Sequence, residues 1–201
     1  AALQYAHGVG IVHRDVKPAN VMRLETGLVK VLDFGVARTG GGPVTRAGDV
    51  IGTLNYMSPE QLLGDPVDHR SDIYSVGALA YELFTLRMAF PGTIDTGVLS
   101  RILNASTIPI GDLVPGIDDG IAAIVERAMT PDVDARYQHL EQMYADVVAT
   151  RTRLLETGAD VEPGQDVTDV CVDGPLADHQ PLSSDPIRQP LRDKGGNIKI
   201  T

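Results

Sequence analysis

The sequence has one cysteine, Cys171, no tryptophan, and aromatic side chains at only 4% of its 201 positions. A single thiol excludes an intrachain disulfide framework and a zinc site built on several cysteines, and it fits a reducing compartment. With so few aromatics the core must be mostly aliphatic, which the 43% hydrophobic content supplies. Basic residues are also scarce: 17 Lys and Arg against 27 Asp and Glu give a formal net charge of -10. That balance argues against a nucleic-acid partner, which needs a basic face. No apolar run approaches the roughly 18 residues of a membrane-spanning helix. The opening AALQYAHGVG lacks both the basic start and the long apolar stretch of a secretion signal, and it begins without Met inside a helical pattern.

What is present reads as one mainly helical domain followed by a tail. Residues 1 to 8 have the spacing of the end of an amphipathic helix, stopped by Gly8 and Gly10. Two β-prone runs, 20–24 and 28–34, flank Glu25-Thr26-Gly27 and predict a hairpin. Residues 35 to 58 are rich in Gly, Thr and Ser without a period, and predict a long loop, functional or disordered. From Asp72, SDIYSVGALAYELF is apolar on most faces and predicts a buried central helix capped by Ser71 or Asp72. Weaker periodicity predicts helices over about 94–103, 118–129 and 138–155, with Pro131 ending the second. Residues 156 to 201 are rich in Pro, Gly and Asp and predict a disordered tail or linker.

The chemistry concentrates in IVHRDVKPANVM, residues 11 to 22, and in the nearby LDFG, residues 32 to 35. The hairpin brings Asn20 and Asp33 to the outer ends of its two strands. An amide oxygen and a carboxylate there make a hard-oxygen site suited to Mg2+. Asp15 is a carboxylate able to accept a hydroxyl proton, and Lys17 a cation able to stabilise a transferring phosphoryl group.

Taken together, these residues resemble the C-terminal lobe of a bacterial-type serine/threonine protein kinase over roughly residues 1 to 150. HRDVKPAN is similar to the catalytic loop H-R-D-L-x-x-x-N, with Val16 for Leu. LDFG is similar to the magnesium-binding motif, and Ser58-Pro59-Glu60 stands where the family has A-P-E. GTLNYMSPEQ is similar to the loop that receives the substrate residue beside the phosphoacceptor.

The resemblance implies an α+β, mainly α fold: a helical bundle with a small hairpin carrying the catalytic and magnesium loops, within residues 1 to 155. It implies Asp15 as the base, Lys17 as a γ-phosphate contact, and Asn20 and Asp33 as ligands of Mg2+, with Mn2+ as a substitute. It implies ATP as cosubstrate and Ser/Thr proteins as substrates. His13, Arg14, Thr53, Glu60, Asp72 and Arg136 are implied to be structural, with Arg136 pairing Glu60 and Asp72 bonded to the catalytic loop. Arg14 beside Asp15 marks kinases switched on by phosphorylation of the loop that follows. Thr39, Thr45 and Thr53 are the possible acceptors, and Thr45 is favoured. A kinase homodimer, a cytoplasmic location for the domain and a membrane-anchored parent protein are further expectations from the resemblance.

Other residues read blandly. Gly40-Gly41-Gly42 is a loop tip, and His7, His69, His139 and His179 show no metal-ligand spacing along the sequence. Neither the Gly-rich loop G-x-G-x-x-G-x-V nor the strand lysine of V-A-I-K occurs, so the match resembles a kinase lacking its N-terminal lobe. Two readings follow. One is a serine/threonine kinase of which this chain is a part, with very low transfer by the part alone. The other is a naturally truncated, non-catalytic kinase-like module that binds partners. Upper-lobe motifs encoded upstream of Ala1 separate them.

Overall fold

The computed structural model describes residues 2–34, 54–93 and 96–157. Helix α1 (Ala2–Gly8) leads through a loop and a 3-10 turn (Pro18–Asn20) into strands β1 (Val21–Arg23) and β2 (Val29–Val31). A second 3-10 turn (Leu54–Tyr56) precedes α2 (Pro59–Leu63), α3 (His69–Thr85), α4 (Val98–Leu103), α5 (Ile110–Leu113), α6 (Asp119–Ala128) and α7 (Leu140–Thr157). This is the mainly helical α+β architecture expected from the sequence.

The hairpin is antiparallel, with Val21 opposite Val31 and Arg23 opposite Val29. Its turn closes through Gly27 N–H donating to Leu24 O at 2.9 Å. Gly27 takes φ +84, a region that glycine enters without steric cost. The strands are shorter than the predicted runs, yet pairing continues beyond them, because Leu32 N–H donates to Asn20 O at 2.8 Å. That bond sets Asn20 and Asp33 at the same open end of the hairpin.

Helix α3 is the axis of the bundle, as its nearly all-round apolar pattern requires. Tyr74, Ala78 and Tyr81 enter a core shared with Phe90, Val98, Ile102 and Val125. Ile73 enters a second core with Ile124, Ala128, Tyr137 and Met143. Between these lies Gly77. A Cβ there would sit 2.8 Å from Ala128 Cβ and 2.9 Å from Met129 Cγ, so α3 and α6 meet almost backbone to backbone.

The start of α3 corrects the sequence reading. Neither Ser71 nor Asp72 caps it; the helix begins at His69 and is capped by Asp68, whose side chain accepts Arg70 N–H at 2.8 Å. Ser71 and Asp72 are instead buried in its first turns and face other elements. The helix predicted from about 94 is described from Val98, and α7 runs to Thr157. Helix α2 has no counterpart in the predicted elements, although Ser58-x-x-Gln61 is a capping-box signature. Ser58 N–H donates to Gln61 Oε1 at 3.0 Å and Gln61 N–H to Ser58 Oγ at 3.4 Å. Among the described residues no helix is long and apolar enough to cross a membrane. Most of the predicted tail, with Cys171, lies outside the described residues.

The close approach at Gly77 gives the first prediction. Gly77→Ala forces a methyl group against two side chains of α6 and its end, so overpacking should cost about 1–3 kcal/mol despite the better helix propensity. Thermal denaturation checks it, with an expected fall in Tm of about 2–4 °C per kcal/mol for a chain of this size.

Candidate active site

The loop between α1 and β1 is held by its inward residues. His13, Val16 and Asn20 are buried, while Arg14, Asp15 and Lys17 between them remain partly exposed. The deepest anchor is Asp72, at 0% exposure. Its Oδ1 accepts Arg14 N–H at 2.8 Å, and its Oδ2 accepts His13 N–H at 2.8 Å and His7 Nε2 at 2.7 Å. This clamp explains how Arg14 keeps φ +66, a left-handed conformation that a long L-side chain rarely adopts and that costs about 1–3 kcal/mol. The same turn is held from the other side by Gln61, whose Nε2 donates to Arg14 O at 2.9 Å.

His13 ties the loop to the hairpin. Its Nε2 faces Leu32 O at 2.9 Å, so that nitrogen donates, and its Nδ1 accepts Asp15 N–H at 3.2 Å. Its ring also packs on Phe34, with centroids 4.6 Å apart. Asp33, between Leu32 and Phe34, is exposed and takes φ +52. Asn20 donates from Nδ2 to Asp15 O at 2.7 Å and to Asp15 Oδ2 at 3.0 Å. Lys17 Nζ lies 2.8 Å from the same Oδ2.

The two oxygens of Asp15 therefore differ. Oδ2 is clamped by an amide and an ammonium. Oδ1 is out of solvent and has no hydrogen-bond partner among the described residues. A buried acceptor left without a bond costs about 1–3 kcal/mol, and such atoms are rare in folded proteins. Here it is the acceptor expected of a general base. Asn20 uses its amide nitrogen on Asp15, which leaves its oxygen edge for another donor or a cation. With the Asp33 carboxylate at the same end of the hairpin, the donor set is hard oxygen, the chemistry of Mg2+ rather than of zinc.

A second buried cluster braces α2 against the start of α3. Arg136, 1% exposed, donates to Glu60 Oε1 at 2.9 Å and Oε2 at 3.2 Å, and to Arg70 O at 2.8 Å. Ser71 Oγ also donates to Glu60 Oε1. Burial pushes the Glu60 carboxyl up, but the hydrogen bonds from Arg136 and Ser71 and the Arg136 charge outweigh it, holding the group below the usual carboxylate range.

The structure thus gathers His13, Arg14, Asp15, Lys17, Asn20 and Asp33 around the hairpin mouth, with Asp72 beneath them and with Glu60, on α2, and Arg136, between α6 and α7, held at the start of α3. Thr39, Thr45 and Thr53 lie outside the described residues. Sequence reasoning missed His7 and Gln61. Gln61 carried a readable capping-box signal; His7 carried none, because its partner Asp72 is distant in sequence.

Two predictions follow. Asp72→Asn keeps the shape but offers one carbonyl oxygen where two oxygens accepted three N–H donors. At least one buried donor is then stranded, at about 1–3 kcal/mol. Hydrogen exchange at the His13 and Arg14 amides should accelerate while α6 stays protected. The Glu60 carboxyl has a lowered folded-state pKa, so its stabilisation is full above the ordinary value of about 4.3 and is lost as pH falls through the folded value. Thermal midpoints measured across the acid range should show this loss, and Glu60→Gln should flatten it.

Comparison with known proteins agrees with this geometry. The family model described as protein kinase domain matches residues 1–146. A probable serine/threonine-protein kinase of Streptomyces coelicolor is 45% identical over 151 residues, covering 74% of this chain and 22% of the relative. Serine/threonine-protein kinase PknB of Mycobacterium tuberculosis is 43% identical over 150 residues, covering 73% and 24%. PknB of Mycolicibacterium smegmatis is 41% identical over 154 residues, with the same coverage of 73% and 24%. The chain spans about a quarter of the length of the curated relatives it matches. With the HRDVKPAN loop and Asp33-Phe34 flanking one hairpin and the family match spanning the helical bundle, this chain belongs to the protein kinase domain family, among bacterial serine/threonine kinases.

Proposed function

We propose that this chain carries the catalytic-loop half of a serine/threonine protein kinase, with Asp15 as the base. The observation that supports it is the divided Asp15 carboxylate: Oδ2 fixed by Asn20 and Lys17, Oδ1 buried and unbonded among the described residues. A Ser or Thr hydroxyl placed at Oδ1 gives up its proton there. Its oxygen bonds to the γ-phosphorus of ATP as the bond to the β–γ bridging oxygen breaks and ADP leaves. Lys17 is assigned to the γ-phosphate, where its charge stabilises the transferring group. Asn20 and Asp33 are assigned to Mg2+, or Mn2+ in its place. When bound, that ion neutralises charge on the phosphates.

The kinase portion is assigned to residues 1–155, and residues 156–201 to a tail. Arg14 is assigned to activation by phosphorylation at Thr45. Protein substrates and ATP are the assigned partners. These 201 residues carry no Gly-rich loop or strand lysine motif, so phosphotransfer by them alone is assigned as very low.

The test uses the whole reading frame that contains this segment, with labelled ATP, Mg2+ and a Ser/Thr protein acceptor. Asp15→Asn should lower kcat about 10²–10⁴-fold with little change in the KM for ATP, and Asp33→Asn should raise the Mg2+ requirement. Wild-type turnover by Asp15→Asn would overturn the assignment.

A further inference from the structure

Gln61 lies in the first turn of α2, half-buried, and its side-chain amide is used at both ends. Its Oε1 accepts Ser58 N–H at 3.0 Å, which completes the cap of the helix. Its Nε2 donates at 2.9 Å to Arg14 O, 47 positions away in sequence. We propose that Gln61 is a positioning residue for phosphoryl transfer, acting through the peptide unit that joins Arg14 to Asp15, a role that rests on the assignment of Asp15 as the base.

That peptide unit has two polar groups, and a side chain holds each. Gln61 takes its carbonyl, and His13 Nδ1 accepts its N–H, the Asp15 amide, at 3.2 Å. Asp72 acts earlier in the chain, on the His13 and Arg14 amides, which belong to the two preceding peptide units. Asp72 thus fixes how the backbone enters the left-handed turn at Arg14, and Gln61 fixes how it leaves. Because a peptide unit is planar, bonds at its carbonyl and its N–H set its orientation, and with it the point from which the Asp15 side chain departs.

The two ends of the Gln61 amide are not interchangeable. Turned over, the amide would set its NH2 against Ser58 N–H and its oxygen against the Arg14 carbonyl, two donors and two acceptors face to face. The support behind it is firm. Ser58 is fully buried, and Glu60, next to Gln61, is held by Arg136 at 2.9 Å and by Ser71 of α3. Gln61 therefore carries the position of the anchored α2 start to the turn that presents Asp15.

The test uses the whole reading frame that contains this segment, with labelled ATP, Mg2+ and a Ser/Thr protein acceptor. Gln61→Glu keeps an oxygen for Ser58 N–H, since Glu serves at this place of a capping box as Gln does, and removes the donor to Arg14 O. It should lower kcat about 10²-fold with little change in the KM for ATP, the loss that follows a misplacement of about 1 Å. In the Asp15→Asn background it should cause no further loss, because the two residues act as one unit. Hydrogen exchange at the Asp15 amide should accelerate while α6 stays protected. Gln61→Met, of similar length and without a donor, carries the test if circular dichroism shows Gln61→Glu unfolded. Wild-type kcat in the folded variant, or an equal loss in both backgrounds, would overturn the proposal and leave Asp15 as the base. Wild-type turnover by Asp15→Asn would instead overturn the assignment of Asp15, and this role with it.

Discussion

The Asp72 carboxylate takes N–H bonds from His13 and Arg14, two successive amides of the turn that presents Asp15. A fully buried carboxylate is costly unless each oxygen is bonded, and both oxygens are. Its position in the first turn of α3 adds the favourable field of a 17-residue helix. The return is geometric. Arg14 stays in a left-handed conformation that it would otherwise leave, so Asp15 is aimed by a residue far away in sequence. Removing Asp72 would release strain and direction together.

The supporting carboxylates and Asp15 differ in how fully their oxygens are bonded. Arg136 and Glu60 are also buried and are bonded to each other, to Ser71 and to the Arg70 and Thr130 carbonyls. Breaking one partner of such a pair costs about 3–5 kcal/mol, because the other is left charged and dry. Asp15 departs from that rule at one atom only. Its Oδ2 is as well held as the structural carboxylates, and its Oδ1 has no partner among the described residues.

The sequence made the local parts of this legible. HRDVKPAN and LDFG are short, and a hairpin with Glu-Thr-Gly at its turn brings them together without long-range information. The apolar run from Ile73 to Phe84 announced a buried helix in the same way. The start of that helix was not legible, since Asp68, Ser71 and Asp72 are all good caps and local preference cannot rank them. What decided was tertiary: Asp72 serves a turn 59 positions away, which leaves Asp68 to cap. His7 was hidden for the same reason, because its partner Asp72 lies 65 positions away.

The hairpin itself is too small to explain the precision of the site. Two strands of three residues are marginal in water. Side-chain bonds to the backbone supply the rest: His13 reaches Leu32 O at the end of β2, and Asn20 reaches Asp15 O at the loop. Each crosses from the loop to the hairpin or back, so the loop and the strands fix each other. Because His13 and Arg14 are in turn fixed by Asp72, the position of Asp33 traces through Leu32 and His13 to the buried first turn of α3. The rigid helix therefore sets the geometry of both the proposed base and the proposed metal ligands, although neither of them lies on it.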